Sequence, residues 1–399
     1  MEVEQNTVEK FHFRKQVKIV FLVLLVFVLM LCAAVAVVWR HELSTLASIK
    51  QLNAADDAHQ DGAVYQMTIS GSYYFEDYLA QGGASTDGEL ISFITDHITK
   101  GLIPMTIEES NIGCSSFTAA AENGDRLFAR NYDFDKTNAC IVYTNPGGGR
   151  HASVSTIDLQ FIGIDPDTGP EGLMDKFSML AAPYVPLDGV NDAGVACGIY
   201  MSYQGEETAP TNQQTDLPDL TSTTMLRLIL DYAGSIEEAV ELVSAYDLHD
   251  SANTSFHYMV ADATGKSAVL EWVNGTDSTD NNGSARKLNV IWSGNAPYQV
   301  VTNCILSEGY YEGEPEDSMT GLDRYEYLTS DLAGTEGIIS DEDAAMDLLA
   351  AVGRRSWNPE RESITVHSVV YNLTRRTAIW VGNEHFGEES YTYRIAPKE

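Results

Sequence analysis

Positive charge is what this chain most lacks. Lys and Arg number 24 against 58 Asp and Glu in 399 residues, a formal net charge of -34. From Cys114 onward the ratio is 17 to 44. A phosphate backbone demands a basic footprint, so no nucleic acid is expected as a partner. The acidic excess reads as a solvated face that keeps the molecule soluble. Cysteine is also scarce. The five, at positions 32, 114, 140, 197 and 304, are too few and too scattered for a disulfide framework, and their odd number leaves a free thiol. Cys197 and Cys304 sit in apolar text that core burial explains. No Cys/His cluster has zinc spacing, and neither a zincin helix nor a Gly-rich phosphate loop is present, so the sequence implies no metal and no cofactor. It carries no internal repeat and no signal for an oligomeric state.

What the chain does have is one long hydrophobic run. Ile19 to Trp39 is 21 residues without a charge, enough to cross a hydrocarbon core of about 30 Å as a helix. Lys10, Arg14, Lys15 and Lys18 precede it, and only Arg40 and His41 follow directly. That asymmetry predicts residues 1–18 as a cytoplasmic tail, 19–39 as a transmembrane helix in the cell membrane, and everything beyond residue 40 as extracellular. The rival is a cleaved secretory signal, with small residues in Leu31-Cys32-Ala33-Ala34. The run is longer than the usual signal core and continues unbroken through Val35–Val38, which favours a retained anchor.

The remainder has the composition of a globular protein and is long enough to bury one substantial core. Residues 40–60 read as a short polar juxtamembrane helix. The stretch 61–113 holds a strand candidate at Tyr65–Ser70, a helix near Gly88–Lys100 and a surface connection around Pro104 and Glu108-Glu109-Ser110. It is too short for an independent catalytic domain but able to cover a site. Beyond it, Asn123-Gly124 joins Phe117–Ala121 to Arg126–Arg130 as a hairpin. Further strands are expected at His151–Gln160, Val195–Met201, Phe256–Val260, Ser267–Trp272, Val300–Asn303, Thr365–Leu373 and Thr377–Val381. Asn274–Ser284 reads as a polar loop. Helices are expected at Thr221–Ala233, at Ser235–Tyr246 with Ser235 as its cap, and over 320–332 and 340–351. Two groups of strands around a helical middle predict an α+β fold of stacked sheets flanked by helices.

The chemistry centres on Cys114. Were the bond after Gly113 cut, Cys114 would carry a thiol and a free amine, and the amine, with an ordinary pKa of about 8, can take the thiol proton without any histidine. The thiolate can then attack an amide carbonyl, and the amine can protonate the leaving nitrogen and later activate water against the thioester. The hairpin returns Arg130 and Asp133 to the start of the first strand. Asp133 is expected to hold the ammonium, and Arg130 to organise that carboxylate and keep the pocket cationic.

The segment Cys114-Ser115-Ser116-Phe117-Thr118, followed by Phe128-Ala129-Arg130-Asn131-Tyr132-Asp133-Phe134, resembles the N-terminal nucleophile hydrolases of the choloylglycine hydrolase superfamily. That group spans bile salt hydrolases, penicillin V acylases, acid ceramidase and N-acylethanolamine acid amidase. The resemblance continues through Asp188-Gly189-Val190-Asn191-Asp192-Ala193-Gly194-Val195, Phe256–Asp262 and Val301-Thr302-Asn303. It implies a four-layer αββα sandwich of two antiparallel sheets in 114–399. It also implies a hydrolase of carbon–nitrogen bonds in linear amides, acting on a small-molecule or lipid-like N-acyl amide. On the same ground Asn303 becomes an oxyanion donor, and Arg324, in Gly321-Leu322-Asp323-Arg324-Tyr325, the distal active-site arginine. Tyr200 takes the place where bile-salt enzymes have an asparagine, and with Asn131 is a candidate pocket neighbour. Members with a long leading segment cleave themselves ahead of the cysteine, which here implies autoproteolysis between Gly113 and Cys114, with 40–113 as linker and propeptide.

Taken alone, each residue has a plainer explanation. An isolated cysteine in apolar text is ordinarily core, Asn303 a strand-end turn residue and Arg324 a surface helical arginine. His257 and His367 are structural or substrate-facing, because an amine base makes histidine unnecessary. Two other functions share these residues, namely an acyltransferase using the same thioester and a catalytically silent binding domain.

Overall fold

The computed structural model describes residues 2–101, 113–203, 209–274, 283–308, 310–311, 321–360 and 362–398, with side chains from residue 15 onward. The connection expected around Pro104–Ser110 and most of the 274–284 loop lie outside the described residues. One helix, α1 (Glu2–Val38), contains the apolar run. From Lys15 to Val38 it is long and apolar enough to cross a membrane, and none of it is buried against the rest of the chain. The polar helix that follows, α2 (Arg40–Ser48), is shorter than the sequence predicts, because the chain turns at once into a strand, β1 (Lys50–Asn53).

The order then runs β2 (Val64–Ile69), α3 (Phe75–Ala80), α4 (Asp87–His97), β3 (Gly113–Ala121), β4 (Arg126–Phe134), β5 (Ala139–Thr144), β6 (Ser153–Asp158), α5 (Leu173–Ser178), β7 (Asp188–Asn191), β8 (Ala196–Met201) and β9 (Asp219–Thr221). It continues through α6 (Ser222–Tyr232), α7 (Ile236–Val243), β10 (Asp247–His249), β11 (Phe256–Ala261), β12 (Ser267–Val273), β13 (Lys287–Trp292) and β14 (Val300–Val301). The last elements are α8 (Leu322–Gly334), β15 (Ile338–Ile339), α9 (Glu342–Ala351), α10 (Arg354–Trp357), β16 (Ile364–Asn372), β17 (Thr377–Gly382) and β18 (Thr392–Ile395).

These strands form two large sheets. One has nine strands in the order β1-β2-β5-β6-β7-β8-β11-β12-β13, and the other has β14-β3-β4-β16-β17-β18 with β15 alongside β3. Pairing is antiparallel except for β2 beside β5 and β15 beside β3; β9 and β10 form a small parallel pair apart. Helices α6 and α7 cover the nine-stranded sheet, while α8 and α9 cover the other. The result is the expected helix–sheet–sheet–helix sandwich. Strand period puts the even residues of β3 and β4 between the sheets and the odd ones under α8 and α9. Phe117, Ala119, Leu127 and Ala129 accordingly pack with Leu328, Leu332 and Leu349, while Cys114, Phe128 and Tyr132 belong to the inter-sheet core. At the hairpin turn Gly124 adopts a φ of +89° and Asn123 Oδ1 accepts from the Asp125 amide at 2.9 Å, the chemistry that the Asn-Gly pair foretells.

The division drawn at 113/114 separates chain segments but not folded bodies. β2 lies between β1 and β5 in the interior of the nine-stranded sheet, in register Val64↔Ala139 to Ile69↔Thr144. Val64, Met67, Phe75, Tyr78 and Leu90 are all buried in the core shared with Cys114. The reason is long-range, since β5 needs a hydrogen-bonded neighbour on that edge and the residues ahead of Cys114 supply it.

Candidate active site

Cys114 is the second residue of β3 and pairs with Tyr132 of β4. Its side chain points between the sheets and is fully buried. Arg130 is on the same face, with Nη2 3.4 Å from Cys114 Sγ and also donating to Ile199 O at 2.5 Å, and Nη1 donating to Leu187 O. Its guanidinium lies over the Tyr200 ring, 4.8 Å from the centroid. Tyr200 in turn donates to Ser116 Oγ at 2.6 Å, so it forms part of the wall beside the sulfur. Arg130 also meets Asp188 at 3.4 Å, and Asp188 takes His367 Nε2 at 2.8 Å and the Tyr371 hydroxyl at 2.5 Å. Burial pushes the Asp188 carboxyl up, but His367 and Arg130 outweigh it and hold the group below its usual range.

A second cluster occupies the opposite face. Asp133 pairs with Gly113 in register and, being odd, points under the helices. There it takes Arg324 of α8, Arg354 Nε at 3.3 Å and the Thr365 hydroxyl at 2.7 Å. A Cβ on Gly113 would stand 2.5 Å from Arg354 Nη2 and 3.2 Å from Asp133 Cβ. The two clusters meet at one nitrogen. The Cys114 backbone N donates to Asn303 Oδ1 at 3.1 Å, and Arg324 Nη2 reaches the same oxygen at 3.3 Å. Asn303 is steadied through Nδ2, which donates to Met201 O at 2.8 Å.

Five of the predicted site residues thus gather around the Gly113–Cys114 bond: Cys114, Arg130, Asp133, Asn303 and Arg324. Tyr200 joins them as a neighbour. Asn131 does not. It is odd, faces away from the sulfur, donates to Leu349 O at 2.9 Å and accepts from Ser368 Oγ at 2.6 Å, so it ties β4 to α9 and β16. The expected Arg130–Asp133 pairing is also replaced, by Arg130–Asp188 on one face and Asp133–Arg324 on the other. Strand parity is the cause, since residues three apart on a strand project to opposite sides.

Sequence reasoning missed three participants. Asp188 was visible only as the first residue of a turn, and nothing local marks Arg354 or Thr365, which reach Asp133 from more than two hundred residues away. His257 is buried on Glu271 Oε1 at 3.1 Å and Thr302 O at 2.9 Å, while Glu271 also accepts from the Leu306 and Ser307 amides. The pair steadies the turn bearing Asn303, which is the structural role.

Electrostatically, Arg130, Arg324 and Arg354 stand against Asp133 and Asp188, a surplus of positive charge that favours thiolate. In the uncut chain burial nevertheless wins and pushes the Cys114 thiol up, with Arg130 pulling it down and Asp133 adding to the rise.

A model for a family described as acyl-coenzyme A:6-aminopenicillanic acid acyl-transferase matches residues 120–384, beginning six residues after Cys114 and covering the other four residues gathered at the site. A comparison with curated proteins finds no match. Among solved structures, a conjugated bile acid hydrolase from Clostridium perfringens is similar at 16% identity and a TM-score of 0.47, over 71% of this chain and 92% of that one. Penicillin V acylase from Agrobacterium tumefaciens gives 18% and 0.46 over 71% and 86%. A Caenorhabditis elegans ortholog of N-acylethanolamine-hydrolyzing acid amidase gives 16% and 0.41 over 71% and 100%.

Proposed function

Because the chain belongs to the family described as acyl-coenzyme A:6-aminopenicillanic acid acyl-transferase, we propose that it is a cysteine amidase that opens a linear carbon–nitrogen amide of an N-acyl substrate after cutting itself between Gly113 and Cys114. One observation carries this reading. The nitrogen that such a cut would free is the nitrogen held by Asn303 Oδ1 at 3.1 Å, and the sulfur of the same residue lies 3.4 Å from Arg130.

In the first step the Cys114 thiol adds to the Gly113 carbonyl and the peptide nitrogen leaves as the Cys114 amine, giving a thioester. Water then hydrolyses it to the Gly113 carboxylate and restores the thiol. In turnover the amine takes the thiol proton as sulfur attacks the substrate carbonyl, and delivers it to the departing nitrogen. In this reading Asn303 donates to the oxyanion, a contribution of several kcal/mol when donors are preorganised. Arg324 and Arg354 hold Asp133 against the bond to be cut, and Arg130 sustains the thiolate. α1 anchors the enzyme, with residues beyond 40 outside the cell, and the catalytic residues all lie from Cys114 onward.

The family description itself favours a second outcome of the same thioester, capture by an amine in place of water. A panel of N-acyl amides varying in acyl length and leaving amine, assayed for amine release with and without an added acceptor amine, separates the two. Hydrolysis is expected, and Cys114→Ala is expected to abolish both self-cleavage and turnover. Turnover by Cys114→Ala overturns the assignment, and a wild-type chain inert on the whole panel points to the silent binding domain.

A further inference from the structure

Where α1 ends, the folded domain supplies an apolar face of its own. Trp39, the residue after α1, packs edge-on against Phe177 of α5 with ring centroids 5.7 Å apart, and Lys100 Nζ sits 5.0 Å over the Trp39 ring. Leu173 and Met174 precede Phe177 by four and three residues, so all three share one face of α5. Phe177 is partly buried, but Leu173 and Met174 are 68% and 55% exposed. Among the described residues beyond α1, they are the only two large exposed hydrophobics adjacent in sequence.

We propose that α5 is a second membrane contact, in which Leu173 and Met174 enter the acyl-chain boundary of the bilayer that α1 crosses. The inference rests on the anchored reading given above and adds to it that the domain is held at two points, hence in one orientation. Lipid is the occupant the geometry selects, because the face continues directly from the end of the span through the Trp39–Phe177 contact, and an aromatic residue at a helix end marks the headgroup level. The surrounding charge does not attract anionic headgroups. Asp165, Asp167 and Glu171 precede α5, Asp175 lies within it, and Lys176 is its one cation. Insertion is therefore driven by apolar burial and is insensitive to salt.

The test uses the full chain in phosphatidylcholine nanodiscs doped with a lipid bearing a diazirine on its acyl chain, with irradiation and peptide mass spectrometry. Adducts are expected on α1 and on the peptide spanning 173–177, in equal yield at low and high salt. Leu173→Glu with Met174→Glu should abolish the α5 adducts while leaving those on α1 and the self-cleavage intact. Labelled α1 with unlabelled α5, undiminished α5 labelling in the double variant, or α5 labelling lost at high salt each overturns the second contact alone. Unlabelled α1 overturns the anchor and the second contact with it.

Discussion

Gly113 shows how much one hydrogen in place of a methyl decides. Its α-carbon faces the guanidinium of Arg354, whose Nε lies 3.3 Å from Asp133, so a Cβ there must displace Arg354 Nη2 and disturb that contact. Gly113→Ala is expected to slow self-cleavage by about tenfold, a barrier change of about 1.4 kcal/mol. Because the cut severs residue 113 from the chain that carries the catalytic residues, the matured enzyme should keep its kcat/KM. Time courses of fragment appearance by gel check this, and unchanged cleavage would remove Asp133 and Arg354 from the cutting step. At this scale the sequence was legible for Cys114, Arg130, Asp133, Asn303 and Arg324 as members of one site. Their pairing was not, because a hairpin read as text brings Arg130 and Asp133 together, whereas alternation along β4 puts them on opposite faces. The same alternation puts Asn131 on the Asp133 face, away from the sulfur, and it is the bonds to Leu349 and Ser368 that turn it into a tie between β4, α9 and β16.

At the level of elements, the expected strands and helices lie within a few residues of their sequence bounds except the juxtamembrane helix, which stops at Ser48, and Ser235 caps α7 by accepting from the Glu238 amide at 3.2 Å. β2 is the instructive exception. Its alternation marks a strand, but nothing in six residues says that it runs parallel to β5 inside the sheet, a pairing across more than seventy positions. Tyr73 adds a buried tie, its hydroxyl donating to Asp231 of α6 at 2.6 Å. Cutting at Gly113 therefore leaves a strand clamped on both sides. After cleavage the 1–113 fragment is expected to co-purify with the 114–399 fragment through native size exclusion and to separate only in denaturant. Free dissociation of the fragment under native conditions would contradict this placement of β2.

For the molecule as a whole, two buried carboxyls set a pH dependence opposite to the common one. Burial pushes Asp158 and Asp250 up to about 6, against hydrogen bonds that pull the other way. Between the unfolded value of about 4 and the folded value, the native state binds more protons than the unfolded chain, so stability is fully present below about 4 and falls as pH rises through 6. A carboxyl raised from about 4 to about 6 on folding loses about 3 kcal/mol of stability across that range. The melting temperature should therefore decline from pH 4 to 7, and Asp158→Asn should flatten part of that slope; an unaltered slope in the variant would contradict the assignment. Asp188 works in the reverse sense, its contribution being lost in acid as pH falls through its lowered pKa. The global architecture was readable in advance because two groups of strands around helices admit few layered solutions. That the leading segment belongs to the same body was not. The central claim, that Cys114 is made into an amino terminus before it acts, is tested most directly by the mass of the active protein. The account predicts a fragment beginning at Cys114 whose abundance rises in step with amidase activity. Full-length chain, uncut and fully active, would contradict it.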